Sequence, residues 1–168
     1  MDGWIKSELP ADVVSSAVTS EDDVGVFLRS HHLVEQAAEK AAEKLYEQYS
    51  ALGHDTLSKH LNALFARGAA GEVFQAAKVV AKHRRDFAHT RIFEITENHV
   101  AAVGNLIRLP TQIGLPIADK TVPYDELRPA RRYLVLCILI AGSIERLGNG
   151  FHKAVRSAEK VHVETGAG

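Results

Sequence analysis

The chain has 168 residues, of which 46% are hydrophobic and 24% charged, and its formal net charge is −1. This length and composition exclude a disordered chain, a collagen-like repeat and a multidomain enzyme, and they indicate one compact globular domain. The single cysteine, Cys137, excludes an internal disulfide and a cysteine-based zinc site. A net charge near zero argues against a protein that coats nucleic acid with its whole surface, so any polyanion site must be local.

The first residues, MDGWIKSELP, lack the basic start and continuous apolar stretch of a signal peptide. We therefore expect a cytoplasmic protein and treat residues 1–19 as an N-terminal extension. The most apolar run, YLVLCILIA at Tyr133 to Ala141, is too short to cross a bilayer. It predicts a buried core helix and no membrane association.

The first helix is predicted to be long. Ser20, followed by three acidic residues, is a helix-start signal, because a hydroxyl cap and early carboxylates satisfy the free amides at the start of the helix. Apolar residues then recur at spacings of three and four from Val24 to Tyr49, and Gly53 is a typical C-terminal cap. Asp55 is positioned to cap a second helix, which ends at Arg67 and Gly68.

Further helices follow along the chain. A third is predicted from Ala69 or Ala70 to about His89, then a short β-leaning connection at 90–95, and a fourth helix that Thr96 opens and Pro110 ends. Residues 110–124 hold three prolines and a glycine and predict an ordered but irregular loop.

The fifth helix is predicted to begin at Asp125 or Pro129 and to end at Leu147, with Gly148-Asn149-Gly150 as its stop. A weaker helix at 151–160 and a flexible tail follow. Nothing alternates over enough residues to predict a sheet. The sequence therefore predicts an all-α bundle of five to six helices with a long first helix and an apolar last core helix. We assign the main domain to 20–148 and a C-terminal segment to 149–168.

Reactive side chains crowd together only at the end of the third helix. They are Lys82, His83, Arg84, Arg85, Asp86 and His89, with Arg91 just beyond. Arg binds phosphate through its donor fork and His moves a proton near neutral pH, so the set suits phosphodiester chemistry. Asp86 is one helical turn from His89 and can orient its ring. The same cations also complement the negative end of the helix dipole, which is a purely structural alternative.

The segment Val80 to His89, VAKHRRDFAH, resembles the Arg-x4-His signature of the HEPN superfamily (higher eukaryotes and prokaryotes nucleotide-binding), with Arg84 and His89 as its Arg and His. The predicted helix order is also similar to the order usual in that superfamily. Within it, the chain resembles relatives of the mannitol operon repressor family over roughly residues 20–148.

The resemblance implies a homodimer whose two motifs lie near each other, and in many members a metal-independent ribonuclease. Arg84 would then bind the scissile phosphate, and His89 would act on the ribose 2′-hydroxyl or on the leaving oxygen. Asp86 would assist, and the remaining basic residues would contact RNA: Lys82, His83, Arg85 and Arg91. The position after the motif Arg is often Asn or Asp, but here it is Arg85. This departure leaves open a register that uses Arg85 with His89, or a fold without activity.

Two functions follow from these observations. The first is an RNA-directed HEPN-like domain, a metal-independent endoribonuclease that cleaves by 2′-hydroxyl transesterification. The alternative is a non-catalytic regulatory or interaction protein, either a mannitol-repressor-like transcriptional regulator or an antitoxin-type partner. In both cases we expect a homodimer, because the apolar run of the fifth helix and an alanine-rich stripe on the first helix permit close packing. The expected binding partner is RNA in the first case and a regulatory protein in the second.

The other chemistry-bearing residues favour structural roles. His31 and His32 point to different faces of the first helix, and His54 and His60 have no acidic partner at ligand spacing, so we predict no zinc and no cofactor. Cys137 is expected in the core. The glutamates at 35, 39 and 43 most simply pair with Lys40, Lys44 or solvent, and the alternative is that one of them faces the motif helix and holds Arg84 or Arg85. The arginines at 128, 131 and 132 start a helix, where the dipole disfavours cations, and so need a partner: Asp125 and Glu126, another subunit, or phosphate.

Overall fold

A computed structural model of the chain describes residues 22–89, 94–110, 112–117 and 120–165. These residues form five α-helices and one two-stranded hairpin. In chain order the helices are α1 (Asp23–Glu43), α2 (Leu57–Ala66), α3 (Glu72–Ala88), α4 (Glu97–Gly104) and α5 (Pro129–Thr165), and strands β1 (Gly114–Ile117) and β2 (Lys120–Pro123) lie between α4 and α5. The predicted all-α bundle, with a long first helix and an apolar last core helix, is confirmed.

The core lies around α5, which packs along α1 and also contacts α3 and α4. Seven of the nine residues of the apolar run of α5 are buried against these neighbours, and Ile138 and Leu139 are partly buried, which explains why its hydrophobic residues occupy most sides of the helix. The segment Pro129–Gly150 has the length and composition of a membrane-spanning helix. However, 67% of its most apolar 18-residue stretch is buried inside the bundle.

The predicted stop at Gly148-Asn149-Gly150 is wrong, because α5 continues through these residues to Thr165. The boundary between 148 and 149 is therefore not a break, and no separate helix begins at 151. Gly148 instead permits a close approach: a Cβ at this position would lie 2.8 Å from the Cβ of Ala41 on α1. Close packing of α5 on α1, and not the end of a helix, therefore explains the glycine at this position.

The first helix is shorter than predicted. α1 ends at Glu43, and a separate 3₁₀ turn covers Tyr49–Leu52 before Gly53, which takes a φ of 62°. Gln48 adopts a left-handed φ of 60° just before the turn, which breaks the helical path. The periodicity continues past Glu43 because Tyr46 and Tyr49 still face α2, where the Tyr46 hydroxyl donates to the Ala63 carbonyl at 2.7 Å.

The predicted caps differ in outcome. Thr96 opens α4 as predicted, and its capping box uses His99. The second helix is capped at Thr56, not at Asp55, whose carboxylate accepts a hydrogen bond from Lys59 at 2.7 Å. Asp22 is the N-cap of α1, while Ser20 and Glu21 lie outside the described residues.

Other boundaries also move. α3 begins at Glu72 rather than at Ala69 or Ala70, and α4 ends at Gly104 rather than at Pro110. The N-terminal extension, most of the predicted β-leaning connection at 90–95 and the end of the tail lie outside the described residues.

The irregular loop predicted for 110–124 contains the hairpin, so the prediction of no sheet is wrong. β1 and β2 pair antiparallel from Gly114 opposite Pro123 to Ile117 opposite Lys120. Strands of four residues are too short for alternation to reveal them. Gly114 is required by the pairing, because a Cβ there would lie 2.5 Å from the carbonyl oxygen of Val122.

Both features that predicted a homodimer are used inside one chain. The apolar run of α5 is mostly buried within the bundle, with Ile138 and Leu139 partly buried, and the alanine stripe of α1 packs in the core, where Ala41 meets Gly148. The homodimer stays a prediction that these two features no longer support.

Candidate functional site

An open cleft of about 720 Å³ lies between α1, α3 and the start of α2. Each long helix contributes residues at spacings of three and four, which is one face of a helix. From α1 these are Leu28, His31, His32 and Glu35, and from α3 they are Ala81, Arg84, Arg85 and Ala88. The segment Asp55–Ser58 completes the lining. The volume lies in the range of small-ligand sites, about 300–1,000 Å³.

The α3 wall carries two exposed guanidinium groups, Arg84 and Arg85. Neither makes a hydrogen bond or an ion pair with another described residue. A guanidinium without a carboxylate partner keeps all its donors available, and its planar fork matches two oxygens of a phosphate. This wall is therefore suited to an anion.

The α1 wall carries two imidazoles in different surroundings. His31 is only 9% exposed, and burial lowers its pKa; the charge of Arg84 acts in the same direction, while Glu35 opposes it. The influence of Arg84 on His31 places the guanidinium and this imidazole within electrostatic range of each other across the cleft. His32 has a side chain 52% exposed, with Nδ1 3.9 Å from Oε2 of Glu35.

Glu35 joins the α1 wall to α2. Its Oε1 accepts a hydrogen bond from the backbone amide of Leu57, the first residue of α2, at 2.8 Å. The side chain of the N-cap residue, Thr56, makes no capping hydrogen bond, so Glu35 takes over this function from another helix. One carboxylate oxygen is thus held by α2 while the other faces His32.

The predicted catalytic residues fall on two sides of α3. Arg84 and Arg85 line the cleft, whereas His89 is the exposed C-cap residue and is not among the described residues that line it. At 3.6 residues per turn, Arg84 and His89 are about 140° apart around the helix axis. Ala88, which immediately precedes His89, does line the cleft. His89 therefore follows a lining residue in the chain but is not itself part of the lining.

Two other predicted site residues, one an RNA contact and one a catalytic assistant, are not among the residues that line this cleft. Lys82 and Asp86 are exposed, and the Asp86 charge raises the pKa values of His83 and His99 against a stronger effect of burial. Asp86 thus lies on the side of α3 that faces α4. Arg91 lies outside the described residues.

His83, predicted as an RNA contact, is instead a core residue with 8% of its surface exposed. Its Nδ1 lies 3.0 Å from the hydroxyl of Tyr133 on α5. Burial lowers the pKa of His83 to about 4, and the neighbouring His99 and Lys82 act in the same direction while Asp86 opposes them. A neutral, enclosed imidazole is unavailable to RNA, so this prediction is corrected.

His31 and His32 are not predicted as site residues from the sequence, because adjacent residues point to different faces of a helix. Both line the cleft, because they follow Leu28 by three and four residues and the cleft is wide enough to include both positions. The signal was present in the sequence as a matched spacing: LRSHHLVE on α1 repeats the pattern of AKHRRDFA on α3. Spacing alone did not reveal that these two stripes face each other.

Two of the three helix-starting arginines pair with carboxylates on other helices of the chain. Arg128 pairs with Asp23 of α1 at 2.9 Å, and Arg132 pairs with Glu97 of α4. Asp125 and Glu126 were predicted for this role, but the partners are Asp23 and Glu97. These two carboxylates lie in the first turns of α1 and α4, and both helices begin near the start of α5.

The remaining candidates are structural. Cys137 is fully buried, and burial raises the pKa of its thiol, which confirms it as a core residue. His60 is buried with Nδ1 2.8 Å from the Tyr49 hydroxyl, and His54 packs against the same ring. Within the described ranges, no group of three His, Cys, Asp or Glu residues is placed to hold a metal ion.

Comparison of the chain with models of protein families, with curated proteins and with solved structures gave no match.

Proposed function

We propose that this protein is an RNA-directed helical bundle of the HEPN type, which cleaves single-stranded RNA without a metal ion. The ribose 2′-hydroxyl attacks the adjacent phosphodiester at the cleft between α1 and α3. One observation carries the proposal: Arg84 and Arg85, which make no ion pair with a described residue, face an open cleft whose opposite wall bears imidazoles. Guanidinium binds the phosphate, and imidazole transfers protons at neutral pH.

Each motif residue has a role in this proposal. Arg84 binds the scissile phosphate, and Arg85 binds either the same phosphate or its neighbour. His89, the exposed C-cap residue of α3 that follows the cleft-lining Ala88, transfers a proton in this proposal. Asp86, one turn before it, assists by orienting the ring. Lys82 attracts the RNA strand from outside the cleft lining, and Arg91 keeps the RNA-binding role that the resemblance implies.

A homodimer belongs to the same proposal, because the HEPN resemblance implies two motifs close together. Two exposed apolar residues on α1, Val24 and Leu28, are one turn apart, and Leu28 lies at the edge of the cleft. They provide apolar surface where a second copy would approach the motif. Light scattering tests the state of association, and a monomer at the concentration of the cleavage assay would refute the dimer.

The test is cleavage of labelled single-stranded RNA by purified protein in excess chelator. Arg84→Ala and His89→Ala are each expected to lower the rate by about 100-fold or more, as expected for loss of a positioned acid–base or electrostatic group. The matched control is Arg67→Ala, which removes an exposed arginine that stacks on Tyr46 outside the cleft lining. RNA with a 2′-deoxyribose at the cleaved position must resist cleavage. Unchanged activity in both motif variants would refute the proposal.

Two observations favour the alternative, a non-catalytic regulatory or interaction protein. The cleft also contains the carboxylates of Glu35 and Asp55, and the chain has a net charge of −1, so its long-range attraction for RNA is weak. This alternative predicts no cleavage by the wild type and undiminished partner binding by the Arg84→Ala/His89→Ala double variant. Pull-down with the bound partner identified, followed by calorimetry on that partner, decides between the two.

A further inference from the structure

Cleavage by the 2′-hydroxyl requires two proton transfers. The bond from the 2′-oxygen to phosphorus forms while the bond from phosphorus to the 5′-oxygen breaks, which gives a 2′,3′-cyclic phosphate and a free 5′-hydroxyl. A base must accept the 2′-hydroxyl proton, and the departing 5′-oxygen must receive a proton because an alkoxide is a poor leaving group. The Arg-x4-His segment supplies one imidazole, His89, for these two transfers.

We propose that His32 is the proton donor to the 5′-oxygen, and that Glu35 is its positioning residue. The inference rests on the proposed function, since it assigns a second group to the same reaction. His89 then accepts the 2′-hydroxyl proton, and exchange with solvent restores both imidazoles after the product leaves.

The placement of His32 supports this role. Its side chain is half exposed and lines the cleft that Arg84 and Arg85 line from the opposite helix, so a phosphate held by the arginines is presented to the α1 wall. The neighbouring His31 is less suited to this transfer, because it is almost enclosed and its lowered pKa favours the neutral ring. A donor must carry its proton and reach the substrate.

The placement of Glu35 supports the positioning role. The Leu57 amide holds Oε1 at 2.8 Å, which fixes the carboxylate, and Oε2 remains 3.9 Å from Nδ1 of His32. A carboxylate fixed on the Nδ1 side leaves Nε2 of the ring for the substrate, as with carboxylates that orient catalytic histidines elsewhere. Besides Glu35, the charged and titratable groups of the cleft are His31, Asp55, Arg84 and Arg85.

The experiment compares two substrates that differ in their leaving group. One is RNA, whose 5′-oxygen needs a proton, and the other is uridine 3′-(4-nitrophenyl phosphate), whose nitrophenolate leaves without one. His32→Ala is expected to slow RNA cleavage by about 100-fold and to change nitrophenolate release by less than about threefold. His89→Ala, which removes the base, is expected to slow both reactions.

The controls separate this inference from the proposed function. His54→Ala removes a histidine outside the cleft lining and should leave both rates unchanged, and circular dichroism verifies that each variant is folded. If wild type cleaves both substrates and His32→Ala slows them equally or not at all, His32 is not the donor while the proposed function stands. If wild type cleaves neither substrate, the proposed function fails and this inference fails with it.

Glu35 is tested with Glu35→Gln, which keeps an oxygen for the Leu57 amide and removes the charge beside His32. A positioning role predicts a lower kcat for RNA with an unchanged KM, and little change for the nitrophenyl substrate. A purely structural role would slow both substrates alike, and that result would overturn the assignment.

Discussion

Gly148 of α5 lies so close to Ala41 of α1 that an added Cβ would come within 2.8 Å of the Ala41 Cβ and 3.3 Å of its Cα. Real Cβ atoms do not approach other atoms this closely, so one of the two helices would have to move. The contact joins the two helices that form the centre of the bundle. The packing of α1 on α5 therefore depends on a small residue at position 148.

We expect Gly148→Ala to lower the free energy of unfolding by about 1–2 kcal/mol, because overpacking outweighs the better helix propensity of alanine. The matched control is Gly150→Ala on the same helix, where nothing lies within 4 Å of the added Cβ. That variant should gain about 0.5–1 kcal/mol. Urea denaturation of both variants measures the difference, and equal stabilities would contradict the close contact.

The cap of α2 provides a second prediction. Glu35→Ala should cost about 1 kcal/mol of unfolding free energy, because it leaves the Leu57 amide without its acceptor. Thr56→Ala at the N-cap itself should cost less than about 0.5 kcal/mol, since its hydroxyl makes no capping hydrogen bond. An N-cap threonine usually contributes the capping hydrogen bond itself, so a smaller loss for Thr56→Ala than for Glu35→Ala would be unusual. Chemical denaturation checks it, and a larger loss for Thr56→Ala would refute the assignment of the cap to Glu35.

The elements that the sequence predicted well are those set by local chemistry. The helical periodicity and the Thr96 cap depend on residues within a turn or two of each other, so they indicate α1, α3 and α4 without any tertiary information. The apolar run at Tyr133 to Ala141 likewise indicated a core helix, and seven of its nine residues are buried.

The elements that it missed depend on partners distant in sequence. In the sequence, a glycine that ends a helix and a glycine that permits close helix packing look the same. At Gly148 only the nearby Ala41 shows that the second role applies. The α1 wall of the cleft was missed for a related reason. Helical spacing shows which residues share a stripe, but not that the stripe containing His31 and His32 faces the one containing Arg84.

Asp23 connects three parts of the bundle, which gives a third prediction. Its Oδ1 accepts from Arg128 at 2.9 Å and its Oδ2 accepts from the backbone amide of Ile95, also at 2.9 Å. Asp23→Ala should cost about 2 kcal/mol because it leaves this partly buried amide unpaired. Arg128→Ala removes the partly exposed ion pair with Asp23, whose loss should cost less than about 1 kcal/mol. Equal losses in thermal or urea unfolding would show that the amide contact contributes nothing.

The buried pair of His83 and Tyr133 predicts a loss of stability in mild acid. The pKa of His83 is lowered to about 4 in the folded chain from an ordinary value of 6.5, mainly by burial. The unfolded chain therefore binds a proton at this residue between pH 6.5 and 4 while the folded chain does not. The contribution of His83 to stability is complete above pH 6.5 and falls as the pH is lowered towards 4.

At pH 5 the expected loss from His83 alone is about 2 kcal/mol relative to pH 7. His83→Gln keeps a polar group beside the Tyr133 hydroxyl but does not titrate, so its unfolding free energy should fall less between these two pH values. The buried His31 and His60, whose pKa values are also lowered by burial, add to the acid loss in both proteins, so only the difference between them reports on His83. An NMR titration in which the His83 ring protonates near pH 6.5 in the folded protein would contradict the placement of this residue in the core.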